Sequence, residues 1–280
     1  MDAFHYEVGW RSSAAHPGAH HGRTLGGGYD FAGSVPFSAS PNPRSLDLRA
    51  SLQNPFGELA VRTYHPRSSI PVVVVADLSA SMGYVGVSRK QQLLADFASA
   101  VAYSVEHHGD RFGFIGCDGR IRDDVGLPLR FHGNAAALLR DKLLAIRVGG
   151  DSHAGLMQVA QHLGRQRCLV FLVSDFHYPL ADLDAMLRGL VRHDVVPVVL
   201  WDSAEFEILP KWGLILVEDP ETGQQRRLLM RPWLRAQFKE RFLTRREQLM
   251  RHCRHWGRSP FFIQNRFDAD ALTDYFLSTL

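Results

Sequence analysis

The chain has 280 residues, 45% of them hydrophobic, enough to bury a large core in one domain with or without an appendage. Lys and Arg number 32 against 29 Asp and Glu, and the formal charge of +3 is too even a balance to argue for a nucleic-acid partner. The three cysteines, Cys117, Cys168 and Cys253, stand far apart without CxxC spacing, which excludes a disulfide framework and structural zinc in favour of reduced, buried thiols.

The first residues, "MDAFHYEVGWRSS", carry acid and aromatics but no apolar core segment, so no signal peptide is expected. No window approaches the roughly 20 apolar residues that a membrane span needs. The expectation is a cytoplasmic protein without direct membrane insertion. Residues 1–68 are rich in Gly, Pro, Ser and His and lack helical periodicity. Within them "GELAVRTY" alternates apolar and polar side chains and predicts a strand, so the segment reads as a small, loop-rich β element.

Residues 69–220 alternate strand and helix patterns and form the expected core. "VVVVADLS", "RFGFIGCD", "CLVFLVSDF" and "VVPVVLWD" are the predicted strands. Between the first two, Leu93, Leu94, Phe97, Ala98, Val101 and Val105 recur at helical spacing, and Gly109 suits the helix end. "NAAALLRDKLLAI", "AGLMQVAQHLGR" and "DLDAMLRGLVRHD" predict further helices. This order predicts a doubly wound α/β fold with helices on both faces of a mainly parallel sheet. "WGLILVEDPETGQQ" adds a short strand and an acidic turn. In residues 221–280, "PWLRAQFKERFLTRREQLMRHCRHWG" predicts a long basic helix from Pro232 to about Gly257. A strand, a turn capped by Asp268 and a last helix follow.

The candidate site begins where the first apolar strand ends. Asp77 stands at its carboxyl end, where open α/β sheets place ligands, and Ser79 and Ser81 follow at alternate positions. That spacing turns one carboxylate and two hydroxyls the same way, an oxygen-only set suited to Mg²⁺ or Mn²⁺. "CLVFLVSDF" also ends in an acid, Asp175. Between these strands, "VGGDSHAGLMQVA" offers a Gly-Gly turn with Asp151 and Ser152 at a helix start. Either of those two is also an ordinary helix cap, and Asp77, Ser79 or Ser81 could cap the helix after its loop.

Other features have plainer readings. His16, His20 and His21 in "AHPGAHHG" have no matching acid or Cys cluster, so a solvated loop is expected rather than a metal site. His107, His108, His252 and His255 sit near helix ends, where the dipole favours them. Arg235, Lys239, Arg241, Arg245, Arg246, Arg251 and Arg254 read as the solvated face of the long helix. "SASMG" is not a nucleophile elbow, and no phosphate-binding G-x-x-x-x-G-K-[ST] loop occurs. A metal-dependent phosphatase or hydrolase is the enzyme alternative, although Ser79 stands where such enzymes carry a second Asp.

Asp77, Ser79, Ser81 and Asp175 resemble the metal-ion-dependent adhesion site of von Willebrand factor A domains, in which Asp-x-Ser-x-Ser is joined by a Thr and a further Asp from two later loops. The resemblance implies a divalent metal, Mg²⁺ first with Mn²⁺ or Ca²⁺ as alternatives. It also implies one coordination position open to an acidic residue of a partner. Asp151 stands where the Thr is expected, which would favour the bare cation and weaken the pull on a partner's carboxylate. "GGGYDFAG", then Arg44, Asp47, Arg49 and Ala50 ahead of the metal motif, and the ending "FDADALTDYF", resemble the bacterial domain-of-unknown-function family 58, with Leu48 in place of the usual Trp. That likeness implies a non-enzymatic partner of MoxR-type AAA+ ATPases and of the ATPase's client protein, with methanol dehydrogenase maturation as one such role.

Overall fold

Two units make up the chain in the computed structural model, which describes residues 3–11, 17–21, 30–54, 56–65, 67–150, 152–218 and 224–278. The smaller unit comprises Glu7–Ile70 with His108–Asp110. Strand β1 (Pro17–His21) and, further on, β2 (Asp30–Pro36), β3 (Leu46–Asp47), helix α1 (Leu48–Gln53), β4 (Ala60–His65) and β5 (Arg67–Ser68) are its elements. An antiparallel sheet of order β2-β4-β3 and an antiparallel pair of β1 and β5 are its ladders. Asp47 organises one end. Its Oδ1 accepts the Ala50 N–H at 3.1 Å to cap α1, and its Oδ2 accepts Arg62 Nε at 2.8 Å. The neighbouring Leu48 is 67% exposed.

One expectation fails in this unit. His20 is buried rather than solvated, with Nε2 2.8 Å from Asp110 Oδ2, and Asp110 Oδ1 accepts the Ile70 N–H at 2.8 Å. A buried carboxylate needs such partners, and the imidazole supplies one from 90 positions away. His16 lies outside the described residues.

The larger unit holds residues 3–6, 71–107 and 111–278 of the described chain. Its elements in order are β6 (Pro71–Asp77), α2 (Lys90–His107), β7 (Arg111–Cys117), β8 (Ile121–Arg130), α3 (Ala135–Ala145), α4 (Ala154–His162), β9 (Leu169–Ser174), α5 (Leu180–Gly189), β10 (Asp194–Trp201), β11 (Gly213–Glu218), β12 (Gln225–Met230), α6 (Pro232–His255), β13 (Phe261–Gln264) and α7 (Ala269–Ser278). The main sheet has the order β13-β10-β9-β6-β7-β8, parallel throughout except for the antiparallel edge strand β8.

Every residue of β6 and of β9 is buried, as continuous apolar strands at the centre of a parallel sheet must be. Alternation divides their side chains between two faces. Val73, Val75, Val170 and Leu172 pack with Leu156 and Val159 of α4, Leu183 and Met186 of α5, and Leu249 and Cys253 of α6. On the other face Phe171 meets Phe97 of α2 and Phe276 of α7 edge-on. Each valine fully buried this way stabilises the fold by about 1.5–3 kcal/mol.

The expected α/β architecture is therefore present, with helices on both faces of the sheet. Strand β8 was not foreseen. Val125 and Leu127 alternate inward on it, but "IRDD", Gly126 and Pro128 punctuate the pattern. Proline is tolerated there because β8 is an edge. The strand over Gly213–Glu218 pairs with β12 as an antiparallel hairpin, whose turn lies outside the described residues. Among the described residues no helix is long and apolar enough to cross a membrane. All three cysteines are free and buried, and burial pushes their thiols up, to about 12 at Cys117 and Cys253 and about 11 at Cys168.

Candidate functional site

Strands β6 and β9 are neighbours, and the chain leaves them in opposite directions, through α2 to β7 and through α5 to β10. Their carboxyl ends therefore flank the switch point at which α/β sheets open a crevice. Asp77 ends β6, and Asp175 follows directly on the last residue of β9, Ser174.

Asp77 is 1% exposed. Its Oδ1 accepts the Ser79 N–H at 2.9 Å, and its Oδ2 accepts Ser174 Oγ–H at 2.7 Å. Burial, and then the nearby charge of Asp175, push its carboxyl from 3.8 up to about 6. The segment after Asp77 turns through a short 3₁₀ helix, Ala80–Gly83, which brings Ser79 Oγ and Ser81 Oγ to 3.3 Å. The Ser81 hydroxyl also helps to hold the Asp175 carboxyl low. The sequence-derived residues Asp77, Ser79, Ser81 and Asp175 are thus one connected cluster.

Asp175 carries a partner that the sequence reading missed. Lys90, the first residue of α2, places Nζ 2.9 Å from Asp175 Oδ2 and 2.7 Å from Glu205 Oε1. Burial opposes ionisation of Asp175, but Lys90 and then His177 outweigh it and hold the carboxyl below its usual range. Burial likewise works against the ammonium, and Asp175 and Glu205 outweigh it, so Lys90 is held above its usual value. Glu205 is fixed from its other oxygen, which accepts the Asp202 N–H at 3.1 Å in a capping box. Trp201 Nε1–H donates to the Asp175 carbonyl at 2.8 Å. Lys90 had one legible signal: a lysine opening a helix, at the dipole end that repels cations.

The Gly-Gly turn packs on the Asp77 loop through the backbone. Gly149 N–H donates to Leu78 O at 3.1 Å, and Ala80 N–H donates to Gly150 O at 3.0 Å. Gly150 adopts φ +130°, and a side chain there would meet Asp118 Cβ at 3.0 Å. Asp151 lies outside the described residues. Ser152 Oγ accepts the Ala154 N–H at 3.0 Å, the turn-capping role that was its alternative reading. Among the described residues no group of three His, Cys, Asp or Glu side chains is disposed to hold a metal, so any cation here would depend on the serine hydroxyls.

One member of the basic stripe departs from its expected solvated role. Arg245 turns inward and donates from Nη2 to the carbonyls of Phe176, at 2.6 Å, and Tyr178. Phe176, directly after Asp175, is buried with φ +54°, a conformation that costs a bulky residue on the order of 1–3 kcal/mol.

Fold and site together define a doubly wound α/β protein with an oxygen cluster at the carboxyl edge of its sheet. Residues 44–248 match the family described as "Protein of unknown function DUF58", and the chain belongs to that family. It is 35% identical over 105 residues to the "Uncharacterized protein in moxR 3'region" of Paracoccus denitrificans, covering 38% of this chain and 100% of that one. It is also 25% identical over 229 residues to an uncharacterized protein of Mycobacterium tuberculosis, covering 77% of this chain and 70% of the relative. Similar solved structures include the conserved hypothetical protein BatB from Bacteroides thetaiotaomicron, 12% identical over 75% of this chain and 98% of that one, with a TM-score of 0.46. A von Willebrand factor type A structure from Catenulispora acidiphila is 18% identical over 51% of this chain and 35% of that one, with a TM-score of 0.36.

Proposed function

We propose that this protein is a non-enzymatic, metal-dependent interaction protein that acts with a MoxR-type AAA+ ATPase in maturing or assembling a client protein. The observation that carries the reading is the convergence of Asp77, Ser79, Ser81 and Asp175 at the switch point of the sheet. These donors are all hard oxygens, and two of them are carboxylates buried side by side, so in kind they fit a divalent cation. Asp77, Ser79, Ser81 and Asp175 would hold the ion, Mg²⁺ in the first place, and its chemistry there would be to accept a carboxylate from the partner. Asp151 is the further donor expected from the second loop.

The non-enzymatic part is supported by the hydrogen bonds of the cluster. Ser79 Oγ and Ser81 Oγ meet each other rather than a histidine or lysine that could activate them, and both Asp77 oxygens already accept hydrogen bonds. The ATPase part is supported by the relative named for its place in a moxR 3' region. In its finest form the role is MxaS-like, with methanol dehydrogenase as the client.

The test is binding of the purified MoxR-type ATPase of the same genome to the immobilised chain. Retention is expected for wild type with Mg²⁺, and its loss with EDTA or with Asp77→Ala. Equal retention in every arm would make the cluster structural and put the interface elsewhere. Mg²⁺-dependent hydrolysis of an aryl phosphate by the purified chain would contradict the non-enzymatic reading.

A further inference from the structure

Lys90 is disfavoured twice where it stands. Its side chain is 1% exposed, and an ammonium taken out of water is strongly disfavoured unless well paired. It also opens α2, at the end of the helix whose dipole repels a cation. Two carboxylates account for its position, and they differ in kind. Asp175 belongs to the oxygen cluster. Glu205 stands outside that cluster, in the turn Ser203–Glu205, and is held in place by the Asp202 N–H whether or not Lys90 touches it. Tyr84 completes the surroundings, with its ring centre 5.5 Å from Nζ.

The segment before Lys90 is tied to the same turn. Asp202 accepts Val87 N–H at 3.0 Å, Ser88 N–H at 2.7 Å and Ser88 Oγ–H at 2.6 Å. A Cβ on Gly86 would meet Asp202 Oδ1 at 2.4 Å, so only glycine permits this approach. Both ends of the Lys90–Glu205 contact are therefore built on one anchored frame, while Asp175 belongs to the β9 end. The ammonium is placed to let go of one acid and keep the other.

We propose that Lys90 is a tethered cation that neutralises Asp175 in the metal-free protein, and that it must release Asp175, while keeping Glu205, before the cluster can hold a divalent ion. This rests on the metal reading of the cluster given above. Lys90 thereby lowers the cluster's affinity for a free cation by competing for a carboxylate that the cation needs. It also couples loading of the cluster to the 84–90 and 202–207 segments, because the side chain that moves is held between them.

The experiment is calorimetric titration of the full chain with Mn²⁺, beside thermal melting with and without Mn²⁺, for wild type, Lys90→Gln and the double variant Lys90→Gln/Glu205→Gln. The double variant removes one positive and one negative charge, so the net charge of the group is unchanged and a gain in affinity reports lost competition. It also decides the matter if Lys90→Gln alone, with Glu205 left unpaired, does not fold. Mn²⁺ affinity is expected to rise at least tenfold in the variants, with a larger Mn²⁺-induced rise in melting temperature. Wild-type or weaker affinity in the folded variants, with wild type binding Mn²⁺, would overturn the role of Lys90 and leave the metal site standing. Absence of Mn²⁺ binding in wild type and both variants would overturn the metal reading and the tether together.

Discussion

Ser174 Oγ–H donates to Asp77 Oδ2 at 2.7 Å and joins the carboxyl ends of two neighbouring parallel strands. The same hydroxyl accepts the Phe176 N–H at 3.0 Å, so it also sets the turn that follows Asp175. One buried serine thus fixes the distance between the two acids, and their mutual repulsion is part of what raises Asp77.

Burial, and then that repulsion, predict the effect of Asp77→Asn on stability without metal. Well below pH 3.8 Asp77 is protonated both folded and unfolded. Between 3.8 and about 6 the folded chain keeps a proton that the unfolded chain has lost, so wild-type stability falls as pH rises through that window. The loss is on the order of 3 kcal/mol at pH 7. In EDTA, Asp77→Asn is expected to melt above wild type at pH 7.5, with the gap closing toward pH 4. Parallel melting curves across that range would contradict it.

His193 acts in the opposite sense. It is 7% exposed and its Nδ1 accepts the Cys168 N–H at 3.3 Å, which only the neutral ring can do. Burial, then Arg192 and Arg167, lower it from 6.5. Below 6.5 the unfolded chain binds a proton that the folded chain resists, so stability from this group is lost as pH falls. In the Asp77→Asn background, urea unfolding at pH 5.5 is expected to show lower stability than at pH 7.5, and a further His193→Gln change to reduce that difference.

What was legible in the sequence follows from what carries local signal. Val72 to Ala76 and Leu169 to Val173 announce buried parallel strands by unbroken apolar character, and α2 announces itself by its stripe from Leu93 to Val105. Asp77, Ser79, Ser81 and Asp175 were legible because their spacing and strand-end positions need no tertiary knowledge. Lys90 and Glu205 were not, because their pairing joins a helix start to a turn 115 positions on. His20 and Asp110 form another such pair, 90 positions apart. In β8, charge at the start and Gly126 and Pro128 within the strand mask an alternation that the sheet edge tolerates.

Gly155→Ala tests the packing of the second loop. A Cβ there would meet the backbone of Arg120, C and O, at 2.6 Å and Asp118 O at 2.7 Å, where Gly155 N–H already donates to Asp118 O at 2.9 Å. Backbone cannot move aside as a flexible side chain does. The variant is expected to lose about 1–3 kcal/mol in chemical denaturation. A wild-type midpoint would show that the start of α4 can shift freely.

Arg245→Met should release the carbonyls of Phe176 and Tyr178 and leave the left-handed backbone at Phe176 without its outside support. A loss of about 1.5–3 kcal/mol is expected in urea unfolding. Arg245→Lys should recover only part of it, since the shorter lysine carries a more strongly hydrated ammonium. Full recovery by lysine would mean that charge alone, and not the guanidinium's shape, sets this turn.

The central claim is that Asp77, Ser79, Ser81 and Asp175 form a divalent-cation site, and calorimetric titration of the full chain with Mn²⁺, wild type beside Asp77→Ala, tests it most directly. The account predicts saturable binding at one site in wild type and none in a folded Asp77→Ala variant. Equal affinity in the two proteins would contradict it.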